Sequence, residues 1–329
     1  MVTYVARRLL ISIPLLFLVV LATFLLVHAM PGGPFDSVGA RPMPPTVREL
    51  LESRYGLNEP LPQQFFRYVS NLIQGDLGPL FDSPSRNVND VVRESFPVSI
   101  QLGLMSLVLG FGIGLPAGVI AALRHNSVLD HTATFLAVLS ASIPNLVLGP
   151  MLILIFGVQL DWLNFPGWGS EPPYLLGFLP QFSDLFGPGA NFFELAVMPV
   201  LALGTLFAAA IARLTRAGLL DVLGSDYIRT AHAKGLKARS VVVVHAMKNS
   251  LIPVATTVGP LLAAAVTGSL VIENIFAING LGRQFVNSIA QREYFLLTGL
   301  TLIYAVLLIA GNLLVDVMYA WLDPRIRFD

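Results

Sequence analysis

No cysteine occurs among the 329 residues, which excludes a disulfide framework, a thiolate nucleophile, an iron–sulfur cluster and a thiolate metal site. Charge is scarce as well, at 12% of residues against about 25% in an average soluble chain. The formal net charge is zero, so the chain lacks the basic footprint of a nucleic-acid partner. The phosphate-cradling pattern Gly-x-x-x-x-Gly-Lys-Ser/Thr is missing, and with it the usual device for holding ATP. Gly-x-Ser-x-Gly is also missing, which removes one sign of a hydrolase nucleophile. The histidines, His28, His125, His131, His232 and His245, stand at no paired spacing with carboxylates that suggests zinc. No catalytic, cofactor-binding or metal site is therefore expected, and no periodic repeat divides the chain.

Apolar residues fill the space that charge leaves, at 55% of the sequence. A helix needs about twenty apolar residues to cross the hydrocarbon of a bilayer. Runs of that order extend over Leu9–Met30, Val98–Leu123, Thr132–Gly157, Leu195–Ala212, Ile252–Ile272 and Tyr294–Val315. The first is too long for the apolar part of a signal peptide and reads as a retained span. Pro14, Pro116, Pro144, Pro199 and Pro260 lie inside these runs and predict kinks whose freed carbonyls neighbouring helices satisfy. The expected fold is an all-α integral membrane protein of six transmembrane helices.

Basic residues in short loops set the orientation. Arg7 and Arg8 precede span one, Arg124 follows span two, and Arg325 and Arg327 lie in the tail. The loop after span four adds Arg213, Arg216, Arg229, Lys234, Lys237, Arg239 and Lys248, whereas 158–193 has acidic residues and no basic one. Both termini are thus predicted on the cytoplasmic side. Segment 31–97 is predicted to form a small external subdomain of short amphipathic helices. The aromatics of 158–192, among them Trp162, Trp168 and Phe182, read as anchors at the headgroup level.

The stretch from Asp226 through Tyr227, Arg229, Thr230, Ala231, Lys234, Gly235 and Leu236 to His245, Asn249 and Pro253 reads as helix, turn, helix. Asp221 or Ser225 is placed to cap the first helix, and Gly235 to end it in a left-handed conformation. Such a short basic helix is a knob for a soluble partner to grip. Among charges at membrane depth, Glu273 is open to a structural or a gating role, while Asp316, one turn past Asn312, reads as a helix-packing group.

The 213–253 loop resembles the coupling motif of ABC-importer permeases. Arg229-Thr230-Ala231 stands where the general motif has Glu-Ala-Ala, and the whole is closest to the peptide-importer variant, Tyr-x-Arg-Thr-Ala-x-Ala-Lys-Gly-Leu followed by His, Asn and Ile-Pro. Met30-Pro31-Gly32-Gly33-Pro34, Tyr55-Gly56-Leu57, Gly75-Asp76-Leu77-Gly78, Ser142-Ile143-Pro144, Gly268-Ser269, Gly280-Leu281-Gly282 and Asp323-Pro324-Arg325 extend the likeness along the chain. Together they resemble the B-type permease of dipeptide, oligopeptide and nickel importers. The resemblance implies a type I ABC-importer transmembrane domain, with a C-type permease, two cytoplasmic ATPase subunits and an external solute-binding protein as partners. ATP and magnesium would be used by the ATPases and not by this chain. It also implies that Tyr227, Arg229, Thr230, Ala231, Lys234, Gly235, Leu236, His245 and Asn249 couple to an ATPase. Glu273, Phe276, Asn312 and Asp316 are the gate or path candidates. The competing reading is a self-sufficient transporter driven by an ion gradient, a class marked by internal repeats and binding at mid-depth.

Overall fold

Pro144 decides the course of the third span. A residue before proline is pushed out of the helical region, and Ile143 is extended at φ −83°, ψ 116°. In the computed structural model, which describes residues 2–35, 44–83, 85–266 and 269–322, the predicted single helix is therefore two, bent by 101°. Composition shows the proline but not whether it kinks a span or breaks it.

The chain begins with α1 (Val2–His28), then the short α2 (Pro45–Tyr55) and α3 (Leu61–Ile73). The long α4 (Val88–Leu123) is followed by the bent pair α5 (Val128–Ser142) and α6 (Asn145–Leu152), the latter running into a π-helical turn at Ile153–Gln159. After α7 (Phe182–Phe186) comes α8 (Phe192–Leu223), then α9 (Asp226–Ala233) and α10 (Ala238–Ser240), a second π-helical turn at Val241–Ala246, and α11 (Met247–Ser250). The series closes with α12 (Ile252–Val266), α13 (Leu270–Ile275), α14 (Leu281–Gln291) and α15 (Tyr294–Leu322). Among the described residues, five segments are long and apolar enough to cross a membrane, and the bent pair would make a sixth. Gly268 and the Asp323-Pro324-Arg325 and Arg327 tail lie outside the described residues.

α4 starts ten residues before the predicted span, at a capping box in which the Asn87 N–H donates to the Asp90 carboxylate at 3.0 Å. That added length is amphipathic and buries Val88 and Val91 against Leu281, Leu296 and Leu300. Farther along, Gly110, Gly114 and Gly118 recur every fourth residue and form a ridge facing α8. A Cβ at Gly114 or Gly118 would stand 2.6 Å from the carbonyl oxygen of Ala208 or Ala212. Small residues at this spacing let two helix backbones approach closely where lipid offers no hydrophobic drive. α8 is accordingly the central helix, with Met198, Ala202 and Ile211 fully buried.

The aromatic loop departs from expectation. Trp168 is 5% exposed and packs edge-on against Phe192, with ring centroids 5.4 Å apart. Gln101 of α4 causes this: its Oε1 accepts from Trp168 Nε1 at 2.6 Å and Ser170 Oγ at 2.7 Å, while its Nε2 donates to the Phe178 carbonyl at 2.8 Å. Trp162 and Phe182 remain exposed. The other large loop is fastened by Glu293, whose carboxylate accepts from the backbone N–H groups of Phe81 and Asp82 at 2.9 and 2.8 Å.

Candidate functional site

Between α8 and α12 the chain turns back on itself as a helical hairpin. Ser225 occupies the N-cap of α9 with extended backbone angles, yet its hydroxyl donates to the Val222 carbonyl at 2.6 Å and does not cap the helix. At the other end the Gly235 N–H bonds to the His232 carbonyl at 2.9 Å and the Leu236 N–H to Ala231 at 3.4 Å. This pair of bonds is the Schellman motif, which needs a left-handed residue after the cap. Gly235 supplies it at φ +75°.

One face of α9 is apolar and buried. Ile228 and Ala231 pack with Leu219 of α8, Ala122 of α4, and Val241 and Ala246 of the returning segment. The opposite face carries Tyr227, Arg229, Thr230, Lys234, Gly235 and Leu236, all exposed. Arg229 is held locally by Asp226 at 3.5 Å and by the Gly224 carbonyl at 3.1 Å. Asn249 Nδ2 donates to the Tyr227 hydroxyl at 2.9 Å, which braces α9 against α11, and His245 sits half-buried in the π-helical turn. All nine residues singled out in this stretch therefore lie in one hairpin packed on the ends of α4 and α8.

The gate candidates fall into two separate places. Glu273 is 0% exposed, and its carboxylate accepts from Ser99 Oγ at 2.8 Å and from the backbone N–H groups of Gly282 and Arg283 at 2.7 and 3.2 Å. It thus caps α14, its oxygens taking up N–H groups that the first turn of a helix leaves without partners. Phe276 is buried beside it in the main core. Asn312 and Asp316 lie on α15, where Asp316 forms an ion pair with Arg8 and accepts from the Tyr4 hydroxyl at 3.1 Å, tying α15 to α1. Among the described residues, no group of three His, Asp or Glu side chains is arranged to hold a metal.

Sequence reasoning missed two buried carboxylates, Glu293 and Asp130. Asp130 is paired with Arg216, 86 residues away, and nothing local in the sequence announces the pairing. The one available signal was positional, since Asp130 is the third residue of a helix capped by Ser127.

A family model described as "binding-protein-dependent transport system inner membrane component" matches residues 114–328, and the corresponding N-terminal model matches 1–103. The chain belongs to this family. Members of the binding-protein-dependent family are non-catalytic membrane subunits of ATP-driven importers, working with a partner permease and ATPase subunits, and this chain is a multi-pass protein of a bacterial inner membrane. It is 39% identical to the oligopeptide transport system permease protein OppB of Escherichia coli (strain K12), with 100% of each chain covered. It is 41% identical to the dipeptide transport system permease protein DppB of Bacillus subtilis (strain 168), over 99% of this chain and 98% of that one. The fold is also similar to that of the MetNI methionine ABC transporter in an inward-facing conformation, with a TM-score of 0.54 at 16% identity, covering 70% of this chain and 94% of that one.

Proposed function

We propose that this chain is the B-type permease of a peptide importer and that residues 213–253 form its cytoplasmic docking site for an ATPase. The observation that carries the reading is the α9 hairpin, closed by a Schellman turn, seated on α4 and α8, and presenting a polar, partly basic face that the bundle leaves uncovered. Such a protrusion transmits force because its buried face shares side-chain packing with two long helices. A C-type permease completes the path, two ATPase subunits grip the paired hairpins, and an external binding protein delivers the peptide. Both termini lie in the cytoplasm, and 31–97 forms the external subdomain. Full-length identity to OppB and DppB supports peptides as the solute class.

Expression of the whole operon followed by mild-detergent purification of this chain tests the reading. An ATPase and a second permease should co-purify, and the complex in liposomes should take up peptide only with ATP and the binding protein. A preparation that never contains an ATPase, or uptake by this chain alone under a proton or sodium gradient, would defeat it.

A further inference from the structure

Arg216 lies on α8 one turn before Leu219, the residue on which the hairpin is seated. Its guanidinium grips Asp130 of α5 at two points, Nε to Oδ1 at 2.6 Å and Nη2 to Oδ2 at 2.9 Å. The Asp130 side chain is 1% exposed and also accepts from the Asn126 N–H at 3.0 Å, with His125 Nδ1 3.3 Å away and the Thr134 hydroxyl donating at 3.4 Å. A planar fork against a carboxylate fixes direction as well as distance, which a lysine in the same place does not.

Asp130 and Ala137 are the buried residues of α5, which meets α4 and α8 mainly through small side chains. A groove of about 420 Å³ runs between α4, α5 and α8, walled by small residues such as Gly114, Ala133, Ala137, Ala208 and Ala212. Among the described residues, α5 contributes nothing to the cluster on which the hairpin rests. Displacement of the hairpin therefore enters the bundle through α4 and α8, and the ion pair is the strongest directional link from α8 to α5.

We propose that the Asp130–Arg216 pair is a positioning element that makes α5, the first arm of the bent third span, move with α8 when the hairpin is displaced. The inference rests on the reading of the hairpin as the ATPase docking site. It adds a place where the motion is passed on to the broken span.

Because the chain has no cysteine, Val128→Cys and Asp221→Cys, both at exposed positions, can carry spin labels on α5 and α8 in the assembled complex. The native pair should give one narrow distance distribution that stays the same with and without ATP. In Asp130→Asn and in Arg216→Lys the distribution should broaden, and peptide uptake per ATP hydrolysed should fall about tenfold, the shift expected for losing a charge-assisted bond. In Asp130→Asn, which lies outside the docking segment, ATP hydrolysis and recovery of the subunits should be retained. A distribution as narrow in both variants as in the native pair would overturn the proposal, and so would hydrolysis and uptake falling in the same proportion. Absence of an ATPase from the native preparation would instead defeat the docking reading, while the label distances in the isolated chain would still report whether the pair holds α5 to α8.

Discussion

Gly235 offers a clean separation of backbone strain from partner contact. Its φ is +75°, and a Cβ built there meets nothing within 4 Å, so a substitution inside this chain is charged only for the left-handed backbone. That conformation costs an ordinary L-residue roughly 1–2 kcal/mol, less for asparagine and more for a β-branched side chain. One to two kcal/mol changes a two-state population by roughly 5–30-fold. Hydrogen exchange of the α9 amides in the purified complex reads that population directly. Local opening of residues 226–236 should increase in the order Gly235→Asn, Gly235→Ala, Gly235→Val, with alanine inside that range. ATP-dependent uptake should decline in the same order. Equal damage from asparagine and valine, with α9 exchange unchanged, would refute the strain reasoning and mean that a partner surface occupies the space above Gly235.

Ala231→Arg places a charge in the apolar seat formed by Ile228, Leu219, Val241 and Ala246, so ATPase recovery and uptake should be lost while membrane insertion, measured by protease protection, persists. Glu273→Ala leaves the N–H groups of Gly282 and Arg283 and the Ser99 hydroxyl without their acceptor; at about 1–3 kcal/mol for an unpaired buried donor, the unfolding midpoint in detergent should drop clearly. Gly114→Leu would drive a side chain into the Ala208 carbonyl and should cost at least about 1–3 kcal/mol, seen as reduced recovery of folded protein. Burial pushes the Glu293 carboxyl above the usual glutamate range despite the two N–H groups it accepts from. A raised acid favours the protonated fold, so its contribution is full below the unfolded value, about 4.3, and is lost as pH rises through the folded one. Thermal stability of Glu293→Gln should accordingly be flatter across that window than that of the native chain.

The apolar runs were legible because twenty uncharged residues in succession have few other uses, and the hairpin was legible because Gly235 and its basic neighbours announce a turn. What escaped was pairing across distance. Trp168 looked like a headgroup anchor because composition cannot reveal Gln101, 67 residues earlier, waiting as its acceptor. The Gly110, Gly114, Gly118 ridge was readable in the sequence as a small-residue repeat, yet the helix it would meet was not. Asp130 drew no notice for the same reason, its partner Arg216 lying 86 residues away.

Where these buried carboxylates sit also bears on the choice between an ATP-driven permease and a gradient-driven transporter. A proton- or ion-coupled carrier needs a carboxylate free to exchange its partner near mid-depth. Here Asp130 stands in the first turn of α5, Glu273 caps the start of α14, and Glu293 holds the Phe81–Asp82 turn. Each is saturated by fixed donors: a guanidinium and an N–H for Asp130, two N–H groups and a hydroxyl for Glu273, two N–H groups for Glu293. Acids committed in this way fasten helix ends and loops together. They join elements of the bundle at fixed points, which suits a machine moved from outside by an ATPase better than one driven by an ion passing through it.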